Sequence, residues 1–220
     1  MKIENFIKLY IGNEVNKKYD LHTPIFCEGD NPYYAIPDIR KEEIYGDYIT
    51  TNLESLNIQT SKYHKETLLD HIAFVTHEMK YTGYLGITIA ILHDIGKKFT
   101  VKYNKDGEIC YYGHEKISAQ LAVDMLTGNE FYTDKDLNII YPVISQHLQP
   151  RLIHDSNALN IYYEGFRAKY GPQALDILKK LNDADRGITT IAKLNSPEVI
   201  SKIQDGYDII KSFKALDIKQ

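Results

Sequence analysis

Along most of the chain, apolar residues recur at three- and four-residue steps, the mark of helices with one inward face. Over residues 61–81, Leu68, Ile72, Val75 and Met79 fall on a single stripe and predict a first helix. Residues 84–95 are apolar nearly all round (Leu85, Ile87, Ile89, Ala90, Ile91, Leu92), so the second helix is expected to be buried and central. Gly96 is the expected stop at its end. Residues 101–103 and 109–111 then flank Asn104-Lys105-Asp106-Gly107, which reads as a β-hairpin with a glycine turn.

Five further helices are expected. Over 114–126, Ile117, Leu121 and Met125 point inward and Gly128 follows the end. Over 134–148, Thr133 and Asp136 form a capping box with Asp in place of Glu, and Pro142 predicts a kink. Residues 158–170 form a tyrosine-rich helix stopped by Gly171; 172–194 follows with Pro172 in its first turn. Ser196-Pro197 opens the last, over 197–216. The fold class expected is all-α, a helical bundle with one small hairpin.

The first 58 residues differ in texture. A short helical start is followed, from Lys18 to Tyr48, by an irregular stretch carrying Pro24, Gly29, Asp30, Asn31, Pro32 and Pro37. The chain is therefore divided into an N-terminal extension over 1–58 and a helical domain over 59–220. The extension is expected to act as a lid, a dimer contact or a partner surface, and composition does not separate these.

Composition narrows the function. Of 220 residues, 26 are basic and 30 acidic, for a net charge of −4. That argues against tight non-specific binding of long nucleic acids, which requires many cationic contacts to phosphates. A small nucleotide or an RNA end stays compatible with it through a local basic patch. The two cysteines, Cys27 and Cys110, are far apart and read as reduced thiols of a cytoplasmic protein. No run approaches the ~20 apolar residues that span a bilayer.

The informative residues are polar ones that the periodicity places inward. His71 shares the stripe of Leu68 and Val75. His93 and Asp94 end the most apolar helix. His114 lies with Ile117 and Leu121, His147 with Ile140 and Ile144, and Asp185 with Leu181 and Ile188. A single histidine on an apolar face is ordinarily a core residue with a satisfied hydrogen bond. Six such groups on five helices are best explained by convergence on a cation, because a buried carboxylate needs compensation. Imidazole and carboxylate without thiolate suit one or two divalent ions such as Mn, Fe, Co, Ni or Zn, with Mg a further candidate. Lys97, one turn past the doublet, and Arg151, just after His147, are placed to touch a phosphate. The chain has only four arginines, Arg40, Arg151, Arg167 and Arg186. His64 lies seven residues before His71, on roughly the same face, and is a candidate proton donor to a leaving oxygen. His22 and His154 lie in loop-like sequence and read as solvated.

The order His71, His93-Asp94, Asp185, with Leu92-His-Asp-Ile-Gly-Lys97 around the doublet, resembles the HD superfamily of metal-dependent phosphohydrolases. His114, in Tyr112-Gly-His-Glu115, and His147 resemble the further histidines of members that hold two metals. Tyr63-His-Lys-Glu66 looks like a segment in the HD domain of bacterial tRNA nucleotidyltransferases, with a spacing one residue shorter. The resemblance covers about residues 61–190. It favours Asp185, in an Ala-Asp pair, over Asp183 as the last ligand, in agreement with helical spacing; Asp183 is then an exposed neighbour or an acceptor for a ligating imidazole.

The resemblance implies a phosphohydrolase that cleaves a phosphoester of a small nucleotide, a nucleoside phosphate or a cyclic phosphate, with a metal-activated hydroxide. One ion would sit on His71, His93, Asp94 and Asp185, and a second on His114 and His147 with Asp94 shared. A 2′,3′-cyclic phosphodiesterase acting on RNA ends is the first alternative. A di-iron oxygenase and a non-catalytic nucleotide-sensing module are the others, and a homodimer is compatible with all of them.

Overall fold

The computed structural model describes residues 66–100, 102–107, 109–187 and 194–213. The extension over 1–58, with Cys27, Arg40, His22 and the stretch from Lys18 to Tyr48, lies outside them, as does His64. The described part is all-α with one minimal hairpin. Its elements are α1 (Leu68–Glu78), α2 (Gly83–Leu92), a 3-10 turn (Ile95–Phe99), β1 (Lys102–Tyr103), β2 (Ile109–Cys110), α3 (His114–Leu126), α4 (Asp134–Ser145), α5 (Gln149–Leu152), α6 (Ser156–Tyr170), α7 (Pro172–Asp185) and α8 (Pro197–Ser212). The hairpin pairs Lys102 with Cys110 and Tyr103 with Ile109, antiparallel, and Cys110 is a free thiol.

Helix α2 is the axis of the bundle, as its all-round apolar sequence requires: Leu85, Ile89, Ala90, Ile91 and Leu92 are buried among α1, α4 and α7. Helix α1 inserts the expected stripe, with Leu68, Ile72, Val75 and Met79 all buried. It begins at Leu68 because Thr67 caps it, Oγ1 accepting from the Asp70 N–H at 3.0 Å. The capping box on α4 is present: Thr133 Oγ1 accepts from Asp136 N, and Asp136 Oδ2 accepts from Thr133 N at 2.8 Å. The Tyr84 hydroxyl donates to the same Asp136 at 2.8 Å and ties the start of α2 to α4.

The helix ends differ from the periodic expectation. α2 ends at Leu92, and Gly96, the expected stop, lies inside the 3-10 turn that follows. The Gly96 N–H donates to Ser118 Oγ at 2.8 Å, so it no longer serves the α-helical ladder. A Cβ at Gly96 would strike the His114 carbonyl and the Ser118 amide, so glycine is what lets the turn lie flat on α3. α4 ends at Ser145, three residues early. Pro150 has no N–H to give to Gln146, and the chain restarts there as α5. α7 ends at Asp185, where Gly187 N bonds back to the Ala184 carbonyl at 2.9 Å, and Gly187 is wedged against the Phe74 ring. Residues 188–193 and 214–216, where the expected helices continue, lie outside the described residues.

Helix α8 lies along α1 in close backbone contact, since a side chain at Gly206 would overlap the Ala73 carbonyl. Among the described residues no helix is long and apolar enough to cross a membrane.

Candidate metal centre

His71, His93, Asp94, His114, His147 and Asp185 meet at one end of α2. The potential donor atoms of His71, His93, Asp94 and Asp185 lie within 4.8 Å of one another, and so do those of Asp94, His114 and His147. All six side chains are buried. Asp94 belongs to both groups. Its Oδ2 lies 3.3 Å from the Nε2 atoms of His71 and His93, and its Oδ1 lies 3.0 Å from His114 Nε2 and 3.7 Å from His147 Nε2. Asp185 Oδ1 lies 2.9 Å from His71 Nε2.

His71 comes from the first turn of α1, and the others also sit where helices begin or end. His93 caps α2, His114 opens α3, His147 lies in the turn after α4, and Asp185 is the last residue of α7. His93 thus sits at the end of its helix as expected, whereas the expectation that His147 occupies a helix face is corrected. These rings fold back on their own chain. His93 Nδ1 donates to the Ala90 carbonyl at 2.8 Å, His114 Nδ1 to Tyr111 at 2.6 Å, and His147 Nδ1 to Ile144 at 2.7 Å. A carbonyl can only accept, so Nδ1 carries the hydrogen and Nε2 turns its lone pair to the centre. Gly113, in the left-handed region at φ 81°, makes the sharp entry that puts His114 at the first position of α3.

The Nε2 atoms of His93, His114 and His147 are buried and make no hydrogen bond. Such atoms are expensive to leave unmatched. Imidazole lone pairs and carboxylate oxygens facing one point are the donor set of a divalent cation, so the residues fit a metal.

The electrostatics agree. Burial lowers the proton affinity of His71, but Asp185, Asp94 and Glu66 outweigh it and push the imidazole up to about 10. Burial holds His147 down at about 3 despite Asp94 and Asp185, leaving it neutral. Burial raises Asp94, yet the neighbouring His93 and Lys97 and the imidazoles of His114 and His71 hold it well below the usual carboxylate range. Asp185 is also held low; burial is offset there by His71 and Arg151.

Two cations border the cluster. Lys97 is buried, with Nζ 2.6 Å from Asp94 Oδ2 and 5.7 Å from the centre of the Tyr111 ring. Arg151, on α5, forms an ion pair with Asp185 Oδ2 and is partly exposed. Asp183 is exposed, which leaves Asp185 as the inward member of the pair. His154 is exposed as expected.

Two supporting residues have no role assigned from the sequence, although Glu66 lies in the Tyr63-His-Lys-Glu66 segment noted above. Glu66 Oε1 accepts from His71 Nδ1 at 3.0 Å; it precedes the helix, so no periodicity points to it. Asn182 Nδ2 donates to the His147 carbonyl at 3.1 Å. It lies four residues after Leu178 and three before Asp185, on the inward face, so helical spacing is a usable signal for it. Two other cavities, of about 610 and 570 Å³, are lined by none of the six residues.

The chain matches no family model, no curated protein and no solved structure.

Proposed function

We propose that the protein is a metal-dependent phosphohydrolase of the HD type, acting on a phosphoester of a small nucleotide. The observation that carries this reading is the convergence of four imidazole nitrogens and two carboxylates, all buried, on one point. The Leu92-His-Asp-Ile-Gly-Lys97 phrase supports it from the side of the sequence. A bound divalent ion supplies Lewis acidity, lowering the pKa of water and offsetting charge on phosphoryl oxygens.

The chain's own residues do the rest. Asp94 turns one oxygen to each donor group, so a single carboxylate serves both. Backbone carbonyls hold the His93, His114 and His147 rings in the donor tautomer, which removes the cost of orienting them on binding. Arg151 stands at the rim with its side chain partly exposed; its planar fork matches two phosphate oxygens better than a lysine would. Lys97 lies beside Asp94 and adds positive charge where a phosphoryl group would sit. His64 is the proposed proton donor to the leaving oxygen.

The test is direct. Chelator-stripped protein is incubated with Mn²⁺, Co²⁺, Ni²⁺ or Mg²⁺ and a panel of 2′,3′-cyclic, 3′,5′-cyclic, mono- and triphosphate nucleotides. Metal-dependent product release that disappears in Asp94→Ala is the expected result. Tight metal binding without turnover on any member overturns it; oxygen consumption by an iron-loaded protein then identifies an oxygenase.

A further inference from the structure

The four histidines are not held alike. Three donate Nδ1–H to the backbone carbonyl three residues earlier, at 2.6–2.8 Å. His71 instead donates to the side chain of Glu66 at 3.0 Å, and both side chains are fully buried. A carbonyl is a neutral acceptor; a carboxylate is a charged one and draws the Nδ1 proton harder. An imidazole backed in this way has a more basic Nε2 and holds a cation more firmly.

The donor carboxylates are divided the same way, with Lys97 and Arg151 lying against the two of the four-donor group. His71, His93, Asp94 and Asp185 include two donor carboxylates, with Glu66 as a third behind His71. Asp94, His114 and His147 include only the shared Asp94. Glu115 lies 3.8 Å from His114 Nδ1, beyond hydrogen-bond range, and the Tyr111 carbonyl occupies that nitrogen. Removing a proton from His71 to admit a cation leaves Glu66 paired with a neutral imidazole whose remaining N–H points at it.

We propose that Glu66 is a positioning residue that acts through His71 to make the four-donor group the tight cation position and leave the Asp94–His114–His147 group the weaker one. This rests on the metal-binding reading above but not on the identity of the substrate. The role is specific to one of the two groups, which a purely structural role would not be.

The experiment is Co²⁺ titration of the full chain, followed by visible absorption and by calorimetry, for wild type, Glu66→Gln and His147→Ala. Glutamine keeps the volume and an acceptor oxygen and removes only the charge. His147→Ala is expected to remove the lower-affinity step and keep the higher-affinity one, and loss of the higher-affinity step instead overturns the proposal. Glu66→Gln is expected to weaken that step by roughly 10- to 100-fold. It is also expected to shift the Co²⁺ absorption band of that step and leave the weaker step in place. Both steps weakening together, or neither changing, overturns the proposal while leaving the metal centre standing. A wild-type protein that takes up no Co²⁺ overturns the metal-binding reading itself.

Discussion

Two His–Asp pairs are built on different faces of α1 with similar separations. His71 Nε2 lies 2.9 Å from Asp185, with side chains 0% and 2% exposed. His77 Nδ1 lies 2.6 Å from Asp205, with side chains 17% and 46% exposed. Distance does not distinguish them. The inner pair is buried and wrapped by Asp94, Glu66 and three further imidazoles. The outer pair is joined by Lys80, 3.1 Å from Asp205, and fastens α8 to α1. Lys202 between Glu78 and Glu198, and the Tyr207 hydroxyl on Asp70 at 2.8 Å, do the same work along that seam. The comparison teaches that chemistry is marked by burial and by several donors facing one point, whereas an exposed pair, screened by water, serves as a fastening.

The contrast breaks most sharply by mutation of one carboxylate on each side. Asp94→Ala removes the oxygens shared by both donor groups. It is expected to cut cation affinity by more than the roughly 100-fold that an outer-shell change costs, as read by Co²⁺ titration. Asp205→Ala, tested in the same way, should leave that affinity unchanged. A large loss in Asp205→Ala would mean that the α1–α8 seam sets the metal site.

A subtler change acts on the scaffold of the inner region. Gly96→Ala places a methyl against the backbone of His114 and Ser118. Overpacking of this kind costs about 1–3 kcal/mol, so a lower melting temperature is expected together with weaker cation uptake. An unchanged Tm would show that the 3-10 turn shifts freely away from α3.

Acidity sharpens the comparison further. His71 is raised from 6.5 to about 10, so it is protonated at neutral pH and must lose that proton when a cation binds. Calorimetry in buffers of different ionisation enthalpy should therefore show about one proton released per tightly bound ion. Affinity should rise about tenfold per pH unit between neutrality and pH 9. In the metal-free protein, His71 contributes stability that is complete below 6.5 and is lost as pH rises through about 10. Asp94 and Asp185, held low, contribute above the ordinary carboxylate range and lose it as pH falls. Metal-free Tm should thus decline at both ends, and Asp185→Asn should flatten the acid side.

Much of the candidate site is legible in the sequence. His71 stands out by its place on the Leu68–Val75 stripe, and His93-Asp94 by its place at the end of an apolar helix. The choice of Asp185 over Asp183 follows from the face shared with Leu181. Periodicity succeeds at such positions because it reports which side of a helix is buried. It is blind to where a helix stops. Spacing puts His147 on a helix face, yet it sits in a turn closed by its own Nδ1 and by Pro150. Spacing likewise makes Gly96 a stop, whereas its role is close approach to α3.

The sequence by itself determined the all-α architecture, the buried α2, the capped start of α4 and six of the polar residues that turn inward. These follow from local spacing and from the cost of burying a charge, both written in one stretch of chain at a time. Only the tertiary structure decided that Asp94 faces two donor groups and that Glu66 stands behind His71. It also decided that Lys97 and Arg151 rest on the two carboxylates. The Asp94 and Arg151 relations join residues far apart in the chain, and their distances depend on how the helices cross. The Glu66–His71 and Lys97–Asp94 contacts instead span five and three residues and depend on how the chain turns at the start of α1 and after α2.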